Sequence, residues 1–152
     1  MNDYLMDTRH WRIVGAEEFP KVFRALCDLL PPDSIVGLAE GALSSELQAF
    51  FDVNAVSLDS AVSGALPRGE FVHAYYLPVE PQRMTVLADT AERHAEPEIA
   101  RHMIAIGNGV SLLEWYDAPD DPISLSMALR EVAVTRFARA VGGSLRVAEG
   151  VE

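Results

Sequence analysis

The chain has 152 residues, 49% of them hydrophobic and 23% charged, with a formal net charge of −11. That length suits one domain with a core large enough to need no staples, and a single cysteine, Cys27, excludes an internal disulfide. No stretch reaches the ~18 apolar residues of a membrane helix, and residues 1–12 lack the basic-then-apolar pattern of a secretion signal, so a soluble cytoplasmic protein is expected.

The charge is uneven. Residues 28–80 carry eight acids and one base, residues 89–121 eight acids and two bases, and residues 122–148 one acid and four arginines. A nucleic-acid backbone is bound by neutralising its phosphates with Lys and Arg, so this balance argues against such a partner. It suits solubility and steering toward a basic protein.

Residues 11–15, WRIVG, read as a short strand. In the helix that follows, Phe19, Val22, Phe23, Leu26 and Leu30 recur at helical spacing. Pro20 is tolerated near the start, where its missing N–H has no partner to lose, and Pro31-Pro32 ends the helix. Cys27 lies beside the stripe and reads as an inert thiol. Residues 34–41 form a second strand. Ser45 and Gln48 have the spacing of a capping box ahead of a helix bearing Leu47, Phe50 and Phe51. Residues 52–69 read as a long connection with an edge strand at 53–58.

Residues 70–79, EFVHAYYLPV, are apolar on both faces: Phe71, His73, Tyr75 and Leu77 on one, Val72, Ala74 and Tyr76 on the other. That pattern predicts a central strand covered twice, or a strand covered by a partner such as a second copy in a homodimer. Pro81 opens a helix with Met84, Leu87, Ala88, Ala91 and Ala95 on one side. Asn108-Gly109 between two apolar runs predicts a two-residue hairpin turn, since both residues accept positive φ. A regular ladder from that turn pairs His102 with Trp115, Met103 with Glu114 and Ile104 with Leu113. Residues 117–122, DAPDDP, are a turn and 123–126 a short strand. The last helix carries Leu129, Ala133, Phe137, Ala140 and Val141 on one face and ends at Gly142. Residues 144–152 read as a flexible tail, leaving 1–143 as the domain. The order predicts an α+β fold: one two-layer domain, with a mixed or antiparallel sheet of five to six strands and about four helices.

Motifs for catalysis are absent. There is no phosphate loop, dinucleotide turn or nucleophile elbow, and no cofactor is implied. His94, Glu98 and His102 have the i, i+4, i+8 spacing of a metal row, but Pro97 breaks the helix that would align them. Asp117, Asp120 and Asp121 lack the ligand register of a calcium loop. Glu114 falls on a strand among apolar neighbours. A buried carboxylate is costly unless paired, so either its face is open or an arginine meets it. Glu114, Trp115, Tyr116, Asp117, Asp120 and Asp121 together resemble an aromatic anchor with a charged rim. The leading expectation is a non-catalytic interaction module, of inhibitor or immunity type, for a basic protein. The alternative is a small enzyme or ligand-binding domain working through His73, His102, Glu114 and Asp117.

Overall fold

The computed structural model describes residues 4–67 and 73–150. In chain order these form β1 (His10–Val14), α1 (Phe19–Leu29), β2 (Ile35–Ala39), α2 (Ser45–Asn54), α3 (Ser60–Ser63), β3 (Ala74–Pro78), α4 (Pro81–Ala91), β4 (His102–Gly107), β5 (Val110–Trp115), β6 (Ile123–Ser126), α5 (Glu131–Ala140) and β7 (Ser144–Ala148). Short 3₁₀ turns occupy Leu5–Asp7 and Glu96–Glu98. The strands make one seven-stranded sheet in the order β3-β2-β4-β5-β6-β1-β7, and every pairing is antiparallel. The protein is thus a single α+β domain, with one or two strands more than the sequence suggests. No helix among the described residues is long and apolar enough to cross a membrane.

One face of the sheet carries the main core. Helices α1, α2, α4 and α5 lay Phe19, Val22, Phe23, Leu26, Leu47, Phe51, Met84, Leu87, Val134 and Phe137 on Val36, Leu38, Leu77, Met103, Ala105, Leu113, Trp115, Ile123 and Leu125. The α1 stripe is as the periodicity predicts. The α5 stripe is turned slightly: Val134, Phe137, Ala138 and Val141 are buried and Ala140 is exposed, again at i, i+3, i+4 and i+7 spacing. Ser44, one residue earlier than expected, caps α2 by accepting from Leu47 N–H at 3.3 Å.

The second face is not free. Over β3, β2 and β4 it is covered by the 58–66 segment, where Leu58, Val62, Ala65 and Leu66 meet Tyr76, Ile104 and Ile106. Over β5 and β6 it is covered by the Leu5–Asp7 turn. The expected strand at 53–58 is reduced to one bridge, Val56 to Tyr76. Covered on both faces as its composition predicts, β3 is nevertheless an outer strand. Phe71 and Val72 lie outside the described residues. His73 sits in a turn at φ 57° rather than in the strand. The expected tail is also corrected: Ser144–Ala148 is the outer strand β7, paired along its length with β1.

The hairpin turn forms as predicted, with Asn108 at φ 53° and Gly109 at φ 77°. Its ladder does not stay regular. Gly107 faces Val110 and Ile106 faces Ser111, then a bulge at Leu112 shifts the register, so that Ala105 faces Leu113, Ile104 faces Glu114 and Met103 faces Trp115. The extra residue lets Leu112 and Leu113 both enter the helix-side core. It also moves Glu114 from beside Met103, in that core, to the second face.

At Gly41 the chain runs close against residues 99–100. A β-carbon there would lie 2.5 Å from the Ile99 carbonyl oxygen and 3.0 Å from Ala100 N. Those contacts are backbone, and they are tied by hydrogen bonds from Arg101 N to Ala39 O and Ala42 N to Pro97 O. Gly41→Ala is therefore expected to lower stability by about 1–3 kcal/mol, read as a lower urea midpoint with an unchanged slope.

Candidate functional site

The end of β5 feeds a corner where the N-terminal turn, β5 and the 117–122 turn meet. Trp115 is its anchor and is 0% exposed. Its ring packs on Phe19 at 4.9 Å between centroids, and its Nε1–H donates to the Asp121 carbonyl at 2.7 Å. Glu114, 1% exposed, points to the opposite face. Neither sequence-derived option describes it: the face is covered, and no arginine approaches it. Three donors meet its carboxylate instead. Leu5 N–H lies 2.8 Å from Oε1, the Tyr116 hydroxyl 3.1 Å from Oε1, and the Ser111 hydroxyl 2.6 Å from Oε2. Burial pushes the Glu114 pKa up, opposed by these donors and reinforced by Asp7. Tyr116 is pushed well above the usual phenol range, by burial first and by the Glu114 charge second.

Tyr116 is half-buried. It stands edge-on to Tyr4 at 5.3 Å and to His102 at 5.8 Å. Asp117, Asp120 and Asp121 are exposed around it, and the half-buried Asp7 lies close enough to raise its pKa. Asp117 pairs with Arg101 at 2.9 Å. Asp7, Asp120 and Asp121 have no ion-pair partner among the described residues. Asp120 and Asp121 are set by their N–H groups, which reach back to the Asp117 carbonyl at 3.0 and 3.4 Å. Of the six residues expected to meet a partner, four therefore reach the surface, and Glu114 and Trp115 support them from beneath. Tyr4 and Asp7 complete the corner. Nothing local in the sequence marks them, because they arrive from the other end of the chain.

The second constellation is partly assembled. His102 Nδ1 accepts from Asp117 N–H at 3.0 Å, and its Nε2 lies 3.0 Å from Glu40. Through Tyr116 this links His102 to Glu114. His73 is exposed at the same end of the sheet, beside the outer strand β3, and its backbone carbonyl accepts from Glu40 N–H at 3.3 Å. No helix among the described residues carries the His94, Glu98 and His102 row, since α4 ends at Ala91, ahead of all three. His94 lies 2.8 Å from Glu46 and 3.3 Å from Glu98, while His102 belongs to the other cluster. No group of three His, Cys, Asp or Glu side chains among the described residues is placed to hold a metal ion. Glu46 also meets Arg93 at 2.8 Å, and hydrogen bonds from Arg93 and His94 hold its pKa down at about 2. Burial pushes the Cys27 thiol up, as in an unreactive cysteine.

Compared with protein-family models, with curated proteins and with solved structures, the chain has no match.

Proposed function

We propose that the protein is a non-catalytic intracellular interaction module whose acidic corner binds a basic protein, in the manner of an inhibitor or immunity protein. One observation carries this reading: a half-exposed aromatic pair, Tyr4 and Tyr116, ringed by Asp7, Asp117, Asp120 and Asp121, of which Asp117 alone has a cation partner among the described residues. Aromatic anchors with a charged rim concentrate binding energy, and unpaired surface carboxylates speed the approach of a basic partner. The enzyme reading retains the His102–Asp117–Tyr116–Glu114 chain in its favour. It has less support, because the Glu114 carboxylate already has three donors and the His73 ring makes no hydrogen bond to the others among the described residues. Self-association through β3 also has less support, since the outer edge of that strand already receives the Val56 bridge.

The test uses affinity capture from the native host and the double variant Asp120→Lys/Asp121→Lys. Both side chains are exposed, so folding is retained. The native protein should capture a basic protein whose retention falls as salt rises. The variant should bind it at least about tenfold more weakly at an unchanged melting temperature. Equal capture by both proteins, or capture indifferent to salt, would sink the reading.

A further inference from the structure

Six basic residues, Arg9, Lys21, Arg24, Arg83, Arg93 and Arg101, lie within 4.0 Å of an acid. Among the described residues five arginines, Arg12, Arg130, Arg136, Arg139 and Arg146, do not, although the chain carries 23 acids; of these, Arg12 and Arg146 are the two on neighbouring strands of the sheet. These two face each other directly across the β1–β7 ladder. Opposed residues of an antiparallel pair project from the same face with their β-carbons about 5 Å apart, and like charges placed so repel. The next residue in the cross-strand row is Ser124, opposite Arg12 on β6, and Glu114 follows opposite Ser124. Ser124 is 4% exposed, and its hydroxyl has no hydrogen bond among the described residues. Arg12 and Ser124 line one open groove, with Met6, Tyr116, Asp121 and Pro122 as the remaining wall.

We propose that Arg12, Arg146 and Ser124 form an oxyanion site, matched to a phosphate group carried by a small molecule whose body lies over Met6, Tyr116 and Pro122. A guanidinium offers a planar fork of donors that fits phosphate oxygens. Two forks and a hydroxyl supply the donors a dianion needs, and an anion between the arginines turns their repulsion into attraction. Asp121 also lines the groove. It confines the anion to the end where Arg12 faces Arg146, and it leaves the rest of the groove to an uncharged or cationic part of the ligand. The site does not depend on the basic protein partner, and phosphate binding is measured without one.

The probe is inorganic phosphate, titrated into the full chain against chloride at matched ionic strength. The readouts are melting temperature and the side-chain Nε–H resonances of the arginines. Phosphate should shift the Arg12 and Arg146 resonances saturably, and at ten times half-saturation it should raise the melting temperature by about 3–6 °C more than chloride does. Phosphate also stabilises proteins non-specifically by exclusion, so the double variant Arg12→Gln/Arg146→Gln is the control. It should lose the excess stabilisation while melting, without phosphate, at the native temperature or about 1–3 °C above it. An equal phosphate response in the variant would overturn the site. So would a lower melting temperature of the variant in chloride, which would mean that the arginines already have their counter-charge within the fold.

Discussion

Replacing Trp115 with alanine is expected to cost about 3–5 kcal/mol, the range for truncating a fully buried large aromatic. The ring is closed off from solvent, lies on Phe19 and faces Met103 across the ladder. Its Nε1–H also ties the Asp121 carbonyl, and so the acidic turn, to the sheet at 2.7 Å. Small domains have only about 5–15 kcal/mol of stability in all, so Trp115→Ala should unfold at a much lower urea concentration or fail to accumulate folded. Trp115→Phe, which keeps most of the volume and loses the donor, should fold with a smaller loss. Its turn should also exchange amide protons faster at Asp120 and Asp121. If Trp115→Ala keeps its urea midpoint and loses only partner binding, Trp115 is a surface anchor and its place in the core is wrong.

Glu114→Ala is expected to cost about 2–4 kcal/mol at neutral pH, because it strands Leu5 N–H in a buried site and opens a void beside it. Glu114→Gln should stay within about 1 kcal/mol of the native protein, since an amide oxygen still accepts from Leu5 and Tyr116 and its NH₂ donates to Ser111. The two proteins then separate with pH. Burial raises the native pKa of Glu114 above its unfolded value. A group shifted in that direction contributes stability that is complete below the unfolded pKa, about 4.3, and is lost as pH climbs through the native value. Native minus Glu114→Gln stability should therefore be greatest near pH 4 and decline as pH rises. Glu46, whose native pKa is lowered, loses its contribution as pH falls toward 2 and does so equally in both proteins. Denaturation curves of the pair from pH 4 to pH 8 check the sign. A difference that grows with pH would show a carboxylate stabilised by its surroundings rather than penalised by burial.

Much of the architecture is legible along the chain, and the misses have common causes. Ser144–Ala148 follows the helix stop at Gly142 and reads as a tail, although Leu145 and Val147 alternate with Ser144 and Arg146; a five-residue alternation is too short to announce a strand, and only docking on β1 as an outer strand, with Val147 still 38% exposed, makes it one. The ladder slipped by one residue because a regular register sets Glu114 against Met103 in the helix-side core, and the Leu112 bulge relieves that cost. The corner was half legible. The acids and aromatics of 114–121 are contiguous, but Tyr4 and Asp7 are not, and Glu114 meets a backbone N–H 109 residues away. Arg12 and Arg146 are likewise distant in sequence and become a pair only when β7 docks on β1.

Helix stripes, the Asn108-Gly109 turn, proline boundaries and the acid-to-base balance were readable because each rests on neighbours within a few residues, where backbone geometry dictates who meets whom. Strand order, the bulge, the burial of Trp115 and the partners of Glu114 depended on pairings between remote segments. Those are chosen by which faces can be covered together and which polar groups can be satisfied once covered, a condition on the whole molecule that no local window contains.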